Sequence, residues 1–127
     1  MNLALWIAAG VLAAVALLGG ITKTFVPKEK LAATDGGGWT KSVGAAFVRA
    51  LGILEMLAAA GLILPGALGI APVLVPVTAG CWVLLMIGAM ITHGRRGEPK
   101  LALLNLGYLA VAAFITWGRF GPWAFTG

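Results

Sequence analysis

Ala50-Leu51-Gly52-Ile53-Leu54-Glu55-Met56-Leu57-Ala58-Ala59-Ala60-Gly61 is an apolar stretch with a single carboxylate near its middle. It reads as the centre of a membrane-crossing helix. A charged side chain at such a position costs roughly 2.5–3.5 kcal/mol on insertion scales. Glu55 is therefore expected to be held by a partner or used in chemistry.

The same apolar character recurs along the whole chain of 127 residues, 61% of them hydrophobic and only 10% charged. The mean hydropathy is +1.01. Soluble domains carry about 25% charged residues, so an ordinary soluble enzyme is excluded. About 20 apolar residues cross a hydrocarbon core of about 30 Å. Four such runs are present, over residues 3–22, 43–64, 71–93 and 101–117. They predict an all-α integral membrane protein, an antiparallel up-down bundle of four transmembrane helices forming a single domain over residues 1–127. The first run lacks a positive n-region and is too long for a signal peptide, so it is read as a retained span.

The connections are short except the first, residues 25–42. There Pro27 starts a short interfacial helix through Lys28-Glu29-Lys30-Leu31-Ala32-Ala33, Asp35-Gly36-Gly37-Gly38 breaks it, and Trp39 returns at the interface. Pro65-Gly66-Ala67-Leu68-Gly69 reads as a tight turn ending the second span. Pro76 is expected to bend the third. The tail from Arg119 through Phe120-Gly121-Pro122-Trp123-Ala124-Phe125 reads as interfacial.

Charge sets the expected orientation. Lys23, Lys28, Lys30, Lys41, Arg49, Arg95, Arg96 and Lys100 flank the first and third connections, and only Arg119 lies at the opposite end. The positive-inside rule then puts both connections in the cytoplasm and both termini outside. The net charge of +5 is spread over span ends, with no basic stripe interleaved with aromatics, which argues against nucleic acid. The bilayer is the expected partner, with a homo-oligomer or a membrane complex as further possibilities.

Four polar residues interrupt the spans: Lys23, Glu55, His93 and Asn105. At about 1.5 Å per residue all fall in the cytoplasmic half. They predict one polar cluster that holds a ligand or a proton, with Lys23 the charge partner of Glu55 and Asn105 its neutral one. Each also has a plain structural reading. Lys23 reaches to headgroups, Glu55 fixes helix register, His93 sits at the surface, and Asn105 joins helices. Arg49 is a second candidate partner for Glu55. Trp82, Met86, Met90 and His93 form a helical stripe. Met with His can ligate a metal, but such a stripe is read as packing and no metal is expected. Cys81 is the only cysteine and makes no redox pair.

The chain resembles the DoxX-like family of small four-span bacterial membrane proteins. The resemblance rests on Gly19-Gly20-Ile21-Thr22-Lys23 with Pro27 and Leu31, Gly52-Ile53-Leu54-Glu55, and the Gly61-Leu62-Ile63-Leu64-Pro65 exit. It continues with His93 and its basic loop, and with the Asn105 span closing in Trp117-Gly118-Arg119-Phe120. It implies a multi-pass protein of the bacterial plasma membrane, linked to quinone-coupled oxidation or oxidative stress. It supplies no catalytic set, and Cys81 alone departs from a dithiol mechanism.

Three functional readings stay open. One is a redox-associated subunit binding a lipophilic, quinone-like ligand near Glu55, with Glu55 and His93 handling protons. The second is a non-catalytic scaffold or assembly partner. The third is a small proton-coupled exporter, against which counts the lack of a carboxylate in the first span. Whether the protein is an enzyme is left undecided.

Overall fold

The computed structural model describes residues 1–33 and 37–125. Its elements are α1 (Asn2–Phe25), α2 (Lys28–Ala33), a 3-10 helix (Gly38–Ser42), α3 (Ala45–Leu68), α4 (Leu74–Arg95) and α5 (Pro99–Phe120). The four long helices are each apolar enough to cross a membrane, and together they make an all-helical membrane bundle. Leu18, Leu54, Leu84 and Leu103 are more than 60% exposed on its outside. That surface suits lipid tails, which satisfy apolar side chains as well as a core does, so packing shape and polar contacts must join the helices.

α1 lies chiefly against α3, and α4 against α5, while α3·α4 and α1·α5 contacts close the bundle. The core holds Ala9, Leu12 and Ala16 of α1, Ala59 and Leu62 of α3, Val75, Ala79, Trp82 and Met86 of α4, and Ala112 and Ile115 of α5. The α1–α3 seam is closest at two glycines. A Cβ on Gly20 would lie 2.7 Å from the Gly52 carbonyl oxygen and 2.6 Å from Met56 Cγ. A Cβ on Gly52 would lie 2.8 Å from the Gly20 carbonyl oxygen. Only glycine lets the backbones meet this closely, and that approach brings the next turn of each helix into side-chain contact.

Several boundaries differ from the sequence reading. α3 runs through Pro65 and Gly66 to Leu68 and ends at Gly69, whose φ of +67° is the left-handed cap. Pro65 removes only the bond to the Gly61 carbonyl. Its ring is buried, and its own carbonyl accepts the Ile70 N–H at 3.2 Å, so the helix continues past it. Pro76 falls in the first turn of α4, where its missing N–H needs no partner. The short helix after Pro27 is α2. The expected break at Asp35-Gly36 lies outside the described residues. α5 extends three residues past Trp117 and carries Arg119 with it.

Candidate functional site

Glu55 sits in the third turn of α3 and is 6% exposed. Lys23, in the last turn of α1, places Nζ 2.8 Å from Glu55 Oε2 and 3.2 Å from Oε1. The ammonium thus faces both carboxylate oxygens. The glycines explain the reach. A Cβ on Gly19 would lie 2.9 Å from Glu55 Oε1 and 3.4 Å from Lys23 Nζ, so the missing side chain at Gly19 leaves the space that the pair fills. A charge buried in the bundle is tolerable because its partner and a hydrogen bond come with it.

The other polar residues read from the sequence are placed differently. His93 Nδ1 lies 2.9 Å from Glu98 Oε1 in the loop before α5. Arg96 Nε lies 3.3 Å from the same oxygen, and the Arg96 guanidinium packs against Gly38 of the 3-10 helix. His93 therefore belongs to a clasp between the two basic connections. The hydrogen bond from His93 holds the Glu98 carboxyl below its ordinary value, burial opposes this, and the charges of His93 and Arg96 reinforce it. Asn105 Nδ2 is buried with no hydrogen-bond partner among the described residues. No hydrogen bond or ion pair among the described residues joins His93 or Asn105 to Glu55. Arg49 is exposed. Trp82 and Met86 are core residues and Met90 is half-buried beside them.

On the side of Glu55 away from α1, a groove of about 350 Å³ runs between α3 and α4. Leu54, Leu57, Ala58, Val77 and Leu85 make most of its wall, with Thr78, Cys81 and Trp82 from α4. Leu54 and Leu57 are more than 60% exposed and Val77 is 41% exposed, so the groove opens toward lipid. Thr78 Oγ1 donates to the Leu74 carbonyl at 2.6 Å and is occupied. Trp82 Nε1 is buried and donates to nothing among the described residues. A buried N–H normally finds an acceptor, and one without it marks a place where a partner binds or a water sits. Glu55 and Trp82 thus border one apolar groove, with the Glu55 carboxylate held by Lys23 and the Trp82 N–H buried without an acceptor among the described residues.

The sequence reading missed a second polar site at the opposite end of the bundle. Arg119, read as interfacial, is 5% exposed. Its Nη1 donates to Asn2 Oδ1 at 2.8 Å and to the Trp123 carbonyl at 2.9 Å. Its guanidinium carbon lies 3.9 Å from the Phe125 ring centroid and 5.7 Å from that of Trp6. The signal was present in the aromatic run after Arg119. The chain curls back there because the Trp123 N–H bonds to the Gly118 carbonyl at 2.8 Å.

Four apolar helices around a buried carboxylate–ammonium pair define a multi-pass helical membrane protein with a polar site inside its bundle. Within that class the chain belongs to the DoxX-like family, whose model matches residues 7–115. No curated protein and no solved structure matches it.

Proposed function

We propose that the protein is a redox-associated membrane subunit that binds a lipophilic, quinone-like molecule in the groove between α3 and α4. One observation carries this reading. Glu55 and Trp82, whose buried indole N–H has no partner among the described residues, both border an otherwise apolar groove that is open to lipid. A volume of about 350 Å³ suits one ring headgroup, with its tail left among lipid chains. A quinone carbonyl would accept from the Trp82 indole, and a quinol hydroxyl would donate to Glu55. The groove therefore offers a partner to either redox form. With Cys81 as the sole cysteine, quinone binding is assigned to this chain and electron transfer to a partner subunit. The bacterial plasma membrane is the membrane assigned here, and the count of basic residues at the α2 end supports an orientation with both termini outside.

A titration tests this. The protein in nanodiscs is titrated with a decyl-substituted benzoquinone, following binding calorimetrically. Trp82→Phe keeps the ring and removes the N–H. It should weaken binding about tenfold, the usual cost of stranding one buried polar partner. Equal affinity in the variant and the parent defeats the proposal.

A scaffold role has its own support, because the Gly20–Gly52 contact and the Lys23–Glu55 pair together clamp α1 to α3. Under that reading Glu55→Gln leaves a folded protein that still captures a stoichiometric partner, and quinone titrations are flat.

A further inference from the structure

A second cavity, of about 250 Å³, lies at the end of the bundle that carries α2. The end of α1, the turn at Phe25-Val26-Pro27, the start of α2 and the first turn of α3 enclose it. Its charged wall residues are Lys23, Lys28, Arg49 and Glu29. Lys23 is neutralised by Glu55. Among the described residues no ion pair takes Lys28 or Arg49, so two cations face one carboxylate. The wall also includes Ala45, the first residue of α3. Gly44 caps that helix without a side chain, and its first turn holds no acid. The helix end therefore adds uncompensated positive potential to the same space. Thr24 is also in the wall, but its hydroxyl is buried in the α1–α3 seam against Gly52 and does not count toward the site.

We infer that this cavity binds a phosphate-bearing anion, held by Lys28 and Arg49 over the first turn of α3. The chemistry follows from the wall. A guanidinium presents paired donors that match phosphate oxygens, and a lysine adds a mobile point charge. The place fits as well, because the cavity lies where α1 ends and α3 begins, at headgroup depth for helices that cross the hydrocarbon. Basic pockets between spans at that depth hold lipid phosphates. A free phosphate carries the same recognition groups. The cavity is separate from the Glu55 groove, which is walled by α3 and α4 and contains no cation, and the Lys23–Glu55 pair stands between the two.

The test uses the full chain in phosphatidylcholine nanodiscs, either doped with phosphatidylglycerol or supplied with inorganic phosphate, and native mass spectrometry reads retained anion. Three variants are compared with the parent after circular dichroism has shown equal helicity. Lys28→Gln with Arg49→Gln removes the charges. Ala45→Phe fills the cavity and leaves the charges in place. Lys41→Gln with Lys100→Gln removes two exposed cations from the same end, outside the cavity. The first two should lower retained anion about tenfold or more, as expected for lost charge-assisted contacts, and the third by less than about threefold. The arm in which that difference appears names the source, lipid headgroup or free phosphate. Retention in neither arm overturns the inference. So does an equal loss in both charge variants, or full retention in Ala45→Phe, since either marks diffuse surface attraction.

Discussion

Replacing Lys23 with Met leaves Glu55 buried without its ammonium, and this substitution probes the centre of the bundle. Glu55 is 6% exposed, so water offers it little compensation. Breaking a buried pair from one side costs about 3–5 kcal/mol. The Lys23 side chain is 23% exposed, which screens the pair in part and points to the lower end, about 3 kcal/mol. Glu55→Gln is milder, about 1 kcal/mol, because the freed ammonium can turn to the water-accessible cavity beside it and a Gln can still accept from it. The double variant strands no charge and should sit near Glu55→Gln. The cycle then yields a coupling of about 2–3 kcal/mol. Unfolding in mixed micelles of rising SDS fraction, followed by far-ultraviolet circular dichroism, measures all four proteins. Additive losses, with coupling near zero, would refute the claim that the pair is an energetic clamp between α1 and α3.

Other substitutions test the surrounding structure. Gly20→Val places a branched side chain where Met56 and the Gly52 carbonyl already lie. It should cost about 2 kcal/mol or more by overpacking, read in the same SDS series, while Gly10→Ala, which meets nothing within 4 Å, should be silent. Glu98 is held below its ordinary value of 4.5, first by the His93 hydrogen bond. A carboxyl depressed by folding lends stability that is full above that ordinary value and is lost as pH falls through the lowered one. In a carboxyl 13C titration, His93→Gln should move Glu98 up toward 4.5, and an unmoved titration rules out the clasp. Arg119→Met removes the bonds to Asn2 and the Trp123 carbonyl. It should cost about 2 kcal/mol and release the tail, shifting tryptophan emission to the red. Arg119→Lys should rescue this poorly, because an ammonium lacks the planar fork.

The spans were legible because apolar composition over about 20 residues has few other meanings. Depth put Lys23 within reach of Glu55, in the same half of the bundle, but it allowed Arg49, His93 and Asn105 equally. Depth could not say which face a side chain takes. His93 lies at the expected end of its helix, yet it bonds to Glu98, five residues on, because the loop folds back within a single turn. Pro65 read as a stop because proline usually ends a helix, and here its position one turn from the end leaves only one bond to lose. Arg119 read as interfacial because a positive residue near a span end usually is. Its burial depends on Asn2 and Trp6 at the far end of the chain, a contact that no local pattern announces. The α3–α4 groove is a product of packing, visible only once Glu55 and Trp82 are seen to border one space.

The central claim is that a quinone-like headgroup lies between Glu55 and Trp82. Photolabelling tests it most directly. An azido-benzoquinone with a short alkyl tail is irradiated with the protein in nanodiscs, and the adducts are mapped by peptide mass spectrometry. The account predicts saturable labelling within residues 51–58 and 77–85, competed away by unlabelled quinone and lost in Trp82→Phe with Glu55→Gln. Labelling spread evenly over the lipid-facing leucines of all four helices, or unaffected by that double substitution, would contradict it.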